Sequence, residues 1–151
     1  MGVRLRRIGK REGLPKSVLQ ELDKTEEATA RGEKITLALA LNYGSRGEIT
    51  EAVRSLAQRT LQGEITPAEI SEELISQSLY TADLPDPDLL IRTAGQMRLS
   101  NYLLWQLSYA EILFTPVLWP DFSPSDLEKT VQEYGRRRRT YGGISTLPSI
   151  L

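Results

Sequence analysis

Ile35-Thr36-Leu37-Ala38-Leu39-Ala40-Leu41 is the stretch that decides the fold class. Thr36 is its only polar residue. A short apolar run between two helical patterns reads as a parallel strand buried on both faces. Upstream, Leu14-Pro15 opens a helix that Gly32 stops, with Val18, Leu19 and Leu22 as its apolar stripe. Before it, Val3, Leu5 and Ile8 predict a strand over residues 3–8, with Arg4 and Arg6 on the other face. Downstream, Asn42–Arg46 is a loop, and a helix over residues 47–61 turns Ile49, Val53 and Leu56 inward. Thr66-Pro67-Ala68-Glu69 has the form of a capping box and predicts a helical region reaching Ser78. Leu84-Pro85-Asp86-Pro87 is a rigid turn. A short strand over 88–91, a helix over 100–107 and a strand within 112–118 follow. Ser123-Pro124 opens a last helix with Leu127, Val131 and Tyr134 inward, ending in Arg136–Arg139. The order β-α-β-α-α-β-α-β-α predicts an α/β fold with a mainly parallel sheet flanked by helices. Residues 1–143 read as one domain and 144–151 as an irregular tail.

The chain has 151 residues, with 19 Lys+Arg against 20 Asp+Glu and a net charge of -1. That balance gives no global pull toward nucleic acid or an anionic membrane. There is no Cys and no His. Thiolate nucleophiles, Cys-based metal sites, Ser-His triads and imidazole acid–base catalysis are therefore excluded within it. Chemistry must rest on carboxylates, Arg and Lys, hydroxyls, amides, backbone N–H groups or an oxygen-bound metal. No apolar run reaches the ~18 residues of a membrane span. The N-terminus lacks the pattern of a signal peptide, so a cytoplasmic protein is expected.

In open α/β sheets ligands bind beyond the carboxyl ends of the strands. Two segments fall there: Asn42–Arg46, and Arg92-Thr93-Ala94-Gly95-Gln96-Met97-Arg98-Leu99-Ser100. The second carries two Arg, a Ser and a Thr, has no acid, and leads into the helix expected from Ser100. Arginine forks match phosphate oxygens, and a helix N-terminus adds free N–H groups. A diphosphate site is one reading; a plain helix cap with surface-paired arginines is the other. Glu111 stands at the start of an apolar strand, either as a Mg2+ ligand or an arginine partner, or as an ordinary strand-end charge. Asp86 and Asp88 suit a turn better than a metal pair. Arg136–Arg139 reads as a solvated helix end. Tyr102, Trp105, Tyr109 and Phe114 read as core or interface.

The block from Asp88 to Gln106, with Tyr109-Ala110-Glu111 and Phe114-Thr115-Pro116-Val117-Leu118-Trp119-Pro120-Asp121-Phe122, resembles the C-terminal signature of the cis-prenyltransferases of undecaprenyl-diphosphate synthase type. Leu41–Ile49 and Gly2–Gly9 resemble earlier segments of the same family. The resemblance implies an α/β fold of that type, here without its N-terminal strands and helices. It implies condensation of isopentenyl diphosphate onto an allylic diphosphate, usually farnesyl diphosphate, with Mg2+ assisting and diphosphate released. Arg92, Arg98, Leu99 and Ser100 match the positions that bind isopentenyl diphosphate, and Glu111 matches a Mg2+-placing acid. It further implies a homodimer for the complete protein, with Tyr102–Phe114 and the last helix as candidate surfaces. Contact with a membrane is expected only peripherally, through the lipid product.

There are departures. The family's Asp-Gly-Asn-Gly-Arg-Trp segment, which holds the principal Mg2+ ligand, does not occur in these residues. The expectation is therefore a chain matching the C-terminal two-thirds of a family member, inactive alone and with no catalytic residue of its own. The rival expectation is a non-catalytic partner subunit. Gln96 stands where the family has Glu, Ala94 where it has Ser or Gly, and Thr140 on an expected Arg.

Overall fold

Alternation of apolar and charged residues at the N-terminus produces β1 (Val3–Ile8), the first strand of a computed structural model that describes residues 2–139. Next come α1 (Lys16–Thr29), β2 (Ile35–Ala40), α2 (Ser45–Leu61) and α3 (Glu72–Ser76), then β3 (Leu89–Arg92), β4 (Glu111–Phe114) and α4 (Pro124–Arg136). The fold is α/β, and both strand pairs, β1–β2 and β3–β4, are parallel. Two compact units result. One holds the residues up to Pro85 with Ser100–Trp105; the other holds Asp86–Leu99 and the residues from Gln106 on.

In the first unit, Gly9 ends β1 with φ +106°, and a Cβ there would lie 2.2 Å from the Leu41 carbonyl oxygen. Only glycine fits that approach. α2 buries Ser45, Glu48, Ala52 and Leu56. The expected inward residue Val53 is exposed instead, because the helix turns its first-turn polar residues toward partners. Glu48 is 1% exposed. Its carboxylate accepts the Tyr43 hydroxyl at 2.6 Å and the Tyr80 N–H at 2.8 Å. A buried carboxylate is tolerated when donors replace its water.

Three sequence expectations are corrected in this unit. β2 is not covered on both faces: Ile35 is 61% and Leu37 50% exposed, since β1 is its one ladder partner among the described residues. The capping box at Thr66 forms, but it caps a single 3-10 turn over Pro67–Glu69. Ile70 is extended, and Ser71 starts α3 with a cap of its own. Finally, residues 100–107 are turns and not a helix. Ser100, Asn101 and Leu103 have φ of 52°, 61° and 44°, and left-handed residues cannot propagate a right-handed helix.

In the second unit, β4 starts at Glu111, one residue before the expected 112–118 stretch, and stops within it at Phe114, where Thr115-Pro116 follows. Proline cannot continue a ladder. α4 begins at a capping box in which Ser123 and Asp126 satisfy each other's backbone N–H. Tyr134 is half-buried, but Leu127 and Val131 are exposed, not inward. Tyr109 and Phe114 are exposed as well. Among the described residues, no helix is long and apolar enough to cross a membrane. The expected tail 144–151 and Thr140 lie outside the described residues.

Candidate diphosphate site

β3 delivers Arg92 as its last residue, and the chain then turns sharply. Ala94 and Gly95 both take positive φ, 61° and 64°. Their N–H groups donate to the Val117 and Thr115 carbonyls at 2.8 and 2.9 Å, while Thr115 N–H returns to the Arg92 carbonyl at 2.9 Å. The turn is thus tied to the segment leaving β4, and these two amides are spent on it. An anion at this loop has to be met by side chains and by later amides.

Those exist. Arg98 is exposed and, among the described residues, has no hydrogen bond or ion pair. No acceptor among them meets the N–H of Arg98 or Leu99. Arg92 is half-buried. The helix N-terminus expected at Ser100 is absent, so no helix dipole contributes there. Ser100 belongs to the first unit; Arg92, Arg98, Leu99 and Glu111 belong to the second.

Asn101 is the residue the sequence did not reveal. Its carbonyl accepts the Ser45 N–H at 2.9 Å, and its side-chain oxygen accepts the Arg46 N–H at 2.8 Å. Ser45 Oγ in turn accepts the Leu104 N–H at 3.0 Å. The left-handed loop therefore caps α2 from 55 residues away. The one available signal was asparagine itself, which tolerates positive φ better than other polar residues.

Glu111 sits elsewhere in the second unit. The β3–β4 register pairs Leu89 with Glu111 and Arg92 with Phe114. Glu111 and Arg92 are therefore three rungs apart, about 10 Å along the strands. Arg137 donates to the Glu111 carboxylate at 2.9 Å, to the Ile112 carbonyl at 3.1 Å and to Glu133 at 2.9 Å. Its hydrogen bonds to Glu111 first and Glu133 second hold the Arg137 guanidinium above its ordinary range. Arg139 pairs with Asp88 and donates to the Tyr109 carbonyl and the Tyr134 hydroxyl. The arginine run is thus only partly a solvated end: Arg137 and Arg139 pin the end of α4 to the amino ends of β3 and β4.

Mg2+ requires about six oxygen ligands. Among the described residues no three acids gather to supply them, and Glu111 is already matched by a cation. The residues present do not fit a self-contained Mg2+ site. A cleft of about 200 Å³, lined by Ile91, Phe114, Thr115, Asp126, Lys129 and Glu133 among others, borders the turn through Ile91 and Thr115, but neither Arg92 nor Arg98 lines it.

The family model described as "Putative undecaprenyl diphosphate synthase" matches residues 1–142. The isoprenyl transferase of Heliobacterium mobile is 50% identical over 143 residues, covering 95% of this chain and 55% of that protein. The decaprenyl diphosphate synthase of Mycolicibacterium smegmatis is 47% identical, with 94% of this chain and 48% of that protein covered. Among solved structures, lavandulyl diphosphate synthase of Lavandula x intermedia, in complex with dimethylallyl diphosphate, superposes with a TM-score of 0.90 at 37% identity. That match covers 93% of this chain and 60% of the other. The chain spans about half the length of the curated relatives it matches.

Proposed function

The chain belongs to the undecaprenyl diphosphate synthase family of prenyltransferases, and on that premise we propose that it supplies the isopentenyl diphosphate-binding portion of an isoprenyl transferase. Arg92 and Arg98 hold the diphosphate, the Leu99 N–H donates to it, and the Ser100 hydroxyl follows next in the chain. The allylic diphosphate, with farnesyl diphosphate as the candidate, is bound largely by parts of the enzyme outside the matched span. The product is a cis-polyprenyl diphosphate made in the cytoplasm.

What supports this reading above all is Arg98. An exposed guanidinium without a partner among the described residues, beside two backbone N–H groups that no described acceptor meets, suits a multiply charged oxyanion. The anchored turn at Ala94–Gly95 fixes where that group projects from. The chemistry needs charge stabilisation on a departing diphosphate and no imidazole, in keeping with a chain that has no His. The acids among the described residues do not compose a Mg2+ site. Glu111 stays a ligand candidate by resemblance only.

The family's Asp-Gly-Asn-Gly-Arg-Trp segment is not in these residues, so the 151-residue chain alone makes no polyprenyl product. Incorporation of radiolabelled isopentenyl diphosphate tests this, and clear product would refute it. For the complete enzyme we propose a homodimer that uses the exposed pair Leu127 and Val131, one turn apart on α4. A monomer in sedimentation equilibrium would contradict that.

A further inference from the structure

Three residues in the turns after Leu99 hold left-handed backbone: Ser100, Asn101 and Leu103, with φ of 52°, 61° and 44°. Residues other than glycine, asparagine and aspartate rarely take that conformation. It persists where surrounding contacts dictate it, and such positions gather at functional sites. Here the contacts come from the start of α2, whose first N–H groups have no partner within the helix. Asn101 gives two of them an acceptor, its carbonyl for Ser45 and its Oδ1 for Arg46. The buried Ser45 completes the hold, its Oγ accepting the Leu104 N–H.

Gly44 shows what this hold demands of its surroundings. Its backbone is extended, with φ −159° and ψ 124°, a conformation any residue can take. Space requires the glycine instead: a Cβ there would lie 2.7 Å from Asn101 Nδ2. Asn101 is the only described residue, chain neighbours aside, within 4 Å of that point. The tip of an asparagine ordinarily swings aside at little cost. This one cannot do so freely, because the same carboxamide carries the oxygen that accepts the Arg46 N–H. A methyl group at Gly44 therefore acts on Asn101 and on nothing else nearby.

We propose that Asn101 is a positioning residue for diphosphate binding, and that Gly44 keeps open the space Asn101 needs. Asn101 locks the backbone that carries Ser100, so that the Ser100 hydroxyl approaches the diphosphate from one fixed direction. It acts through Ser100 and does not itself touch the ligand. Without the lock, Ser100 would have to be ordered at the moment of binding, at a cost to affinity. The inference rests on the diphosphate reading of residues 92–100 and adds to it two residues from outside that segment.

The test titrates isopentenyl diphosphate calorimetrically into the 151-residue chain, Gly44→Ala, Asn101→Gly and the double variant, at a temperature where circular dichroism shows each fully folded. Under that condition a role confined to stability leaves the affinity unchanged. Each single substitution is expected to weaken binding about fivefold, the scale of one poorly made hydrogen bond. The double variant should bind like Asn101→Gly alone, because the side chain that the added methyl meets is gone. Should a variant fail to fold, hydrogen exchange in the unsubstituted chain carries the test. Saturating isopentenyl diphosphate should then slow the Ser45 and Arg46 amides about tenfold and leave the Gly63 amide, just past the far end of α2, unchanged. Equal affinity in Gly44→Ala, additive effects of the two substitutions, or Ser45 and Arg46 amides that the ligand does not slow would overturn the proposal while the diphosphate reading stands. Absence of binding to the unsubstituted chain would overturn both.

Discussion

The side-chain oxygen of Asn101 accepts the backbone N–H of Arg46 at 2.8 Å. This contact, with the Ser45 N–H on the Asn101 carbonyl, supplies the cap that α2 lacks locally, since Gly44 offers no side chain. Replacing Asn101 by Ala should cost about 1–2 kcal/mol, combining a lost cap with a side chain at positive φ. Asn101→Gly keeps the backbone conformation and should cost less. Urea denaturation of the two variants checks the order.

Ala94 occupies left-handed backbone at φ 61° beside Gly95. A Cβ there is strained, while glycine pays mainly a chain-entropy penalty. Ala94→Gly should therefore raise stability by about 0.5 kcal/mol. Thermal melts of the variant test this; a clear loss would show that the turn gains something from the methyl group.

The Arg137–Glu111 pair joins α4 to β4, yet both side chains are about a third exposed. Solvent screening limits such pairs to roughly 1 kcal/mol or less. A double-mutant cycle on Glu111→Gln and Arg137→Ala should return a coupling in that range. Glu111→Gln should leave the chain folded, so that a ligand role for Glu111 can be tested without unfolding it.

Acid stability follows from carboxylates held in the folded chain, Glu51, Asp83 and Asp126 among them. Lys10 first and Tyr80 second lower the Glu51 pKa; Arg6 lowers that of Asp83, and Ser123 that of Asp126. Each binds protons more readily when unfolded. Their contribution is full above the ordinary carboxylate range and is lost as pH falls through the lowered native values. With no His in the sequence, the melting temperature should be nearly flat between about pH 6 and 8 and should drop below about pH 4. A marked change near neutrality would contradict this.

Much of the fold was legible because local signals and tertiary context agreed. The alternation at Val3–Ile8, the apolar run from Ile35 and the Ser123–Asp126 box each produced the expected element. The misreadings arose where distant partners overrode local propensity. Ser100–Leu107 carries helical spacing, but its backbone is bent left-handed to cap α2. The burial of Glu48 was likewise not legible, because it depends on the Tyr43 hydroxyl and the Tyr80 N–H that donate to its carboxylate. At the candidate site, Arg92 and Arg98 were legible from residue type and their place after a strand. That Glu111 lies three rungs from Arg92 could not be read, because register is set by strand pairing.

The central claim is that the Arg92–Ser100 loop binds the diphosphate of isopentenyl diphosphate. Isothermal titration of isopentenyl diphosphate into the 151-residue chain, and into Arg98→Ala, tests it most directly. The account predicts saturable binding at one site, weakened about tenfold or more by the substitution, the scale of a lost charge-assisted hydrogen bond. Absence of binding to the unsubstituted chain, or equal affinity in Arg98→Ala, would contradict it.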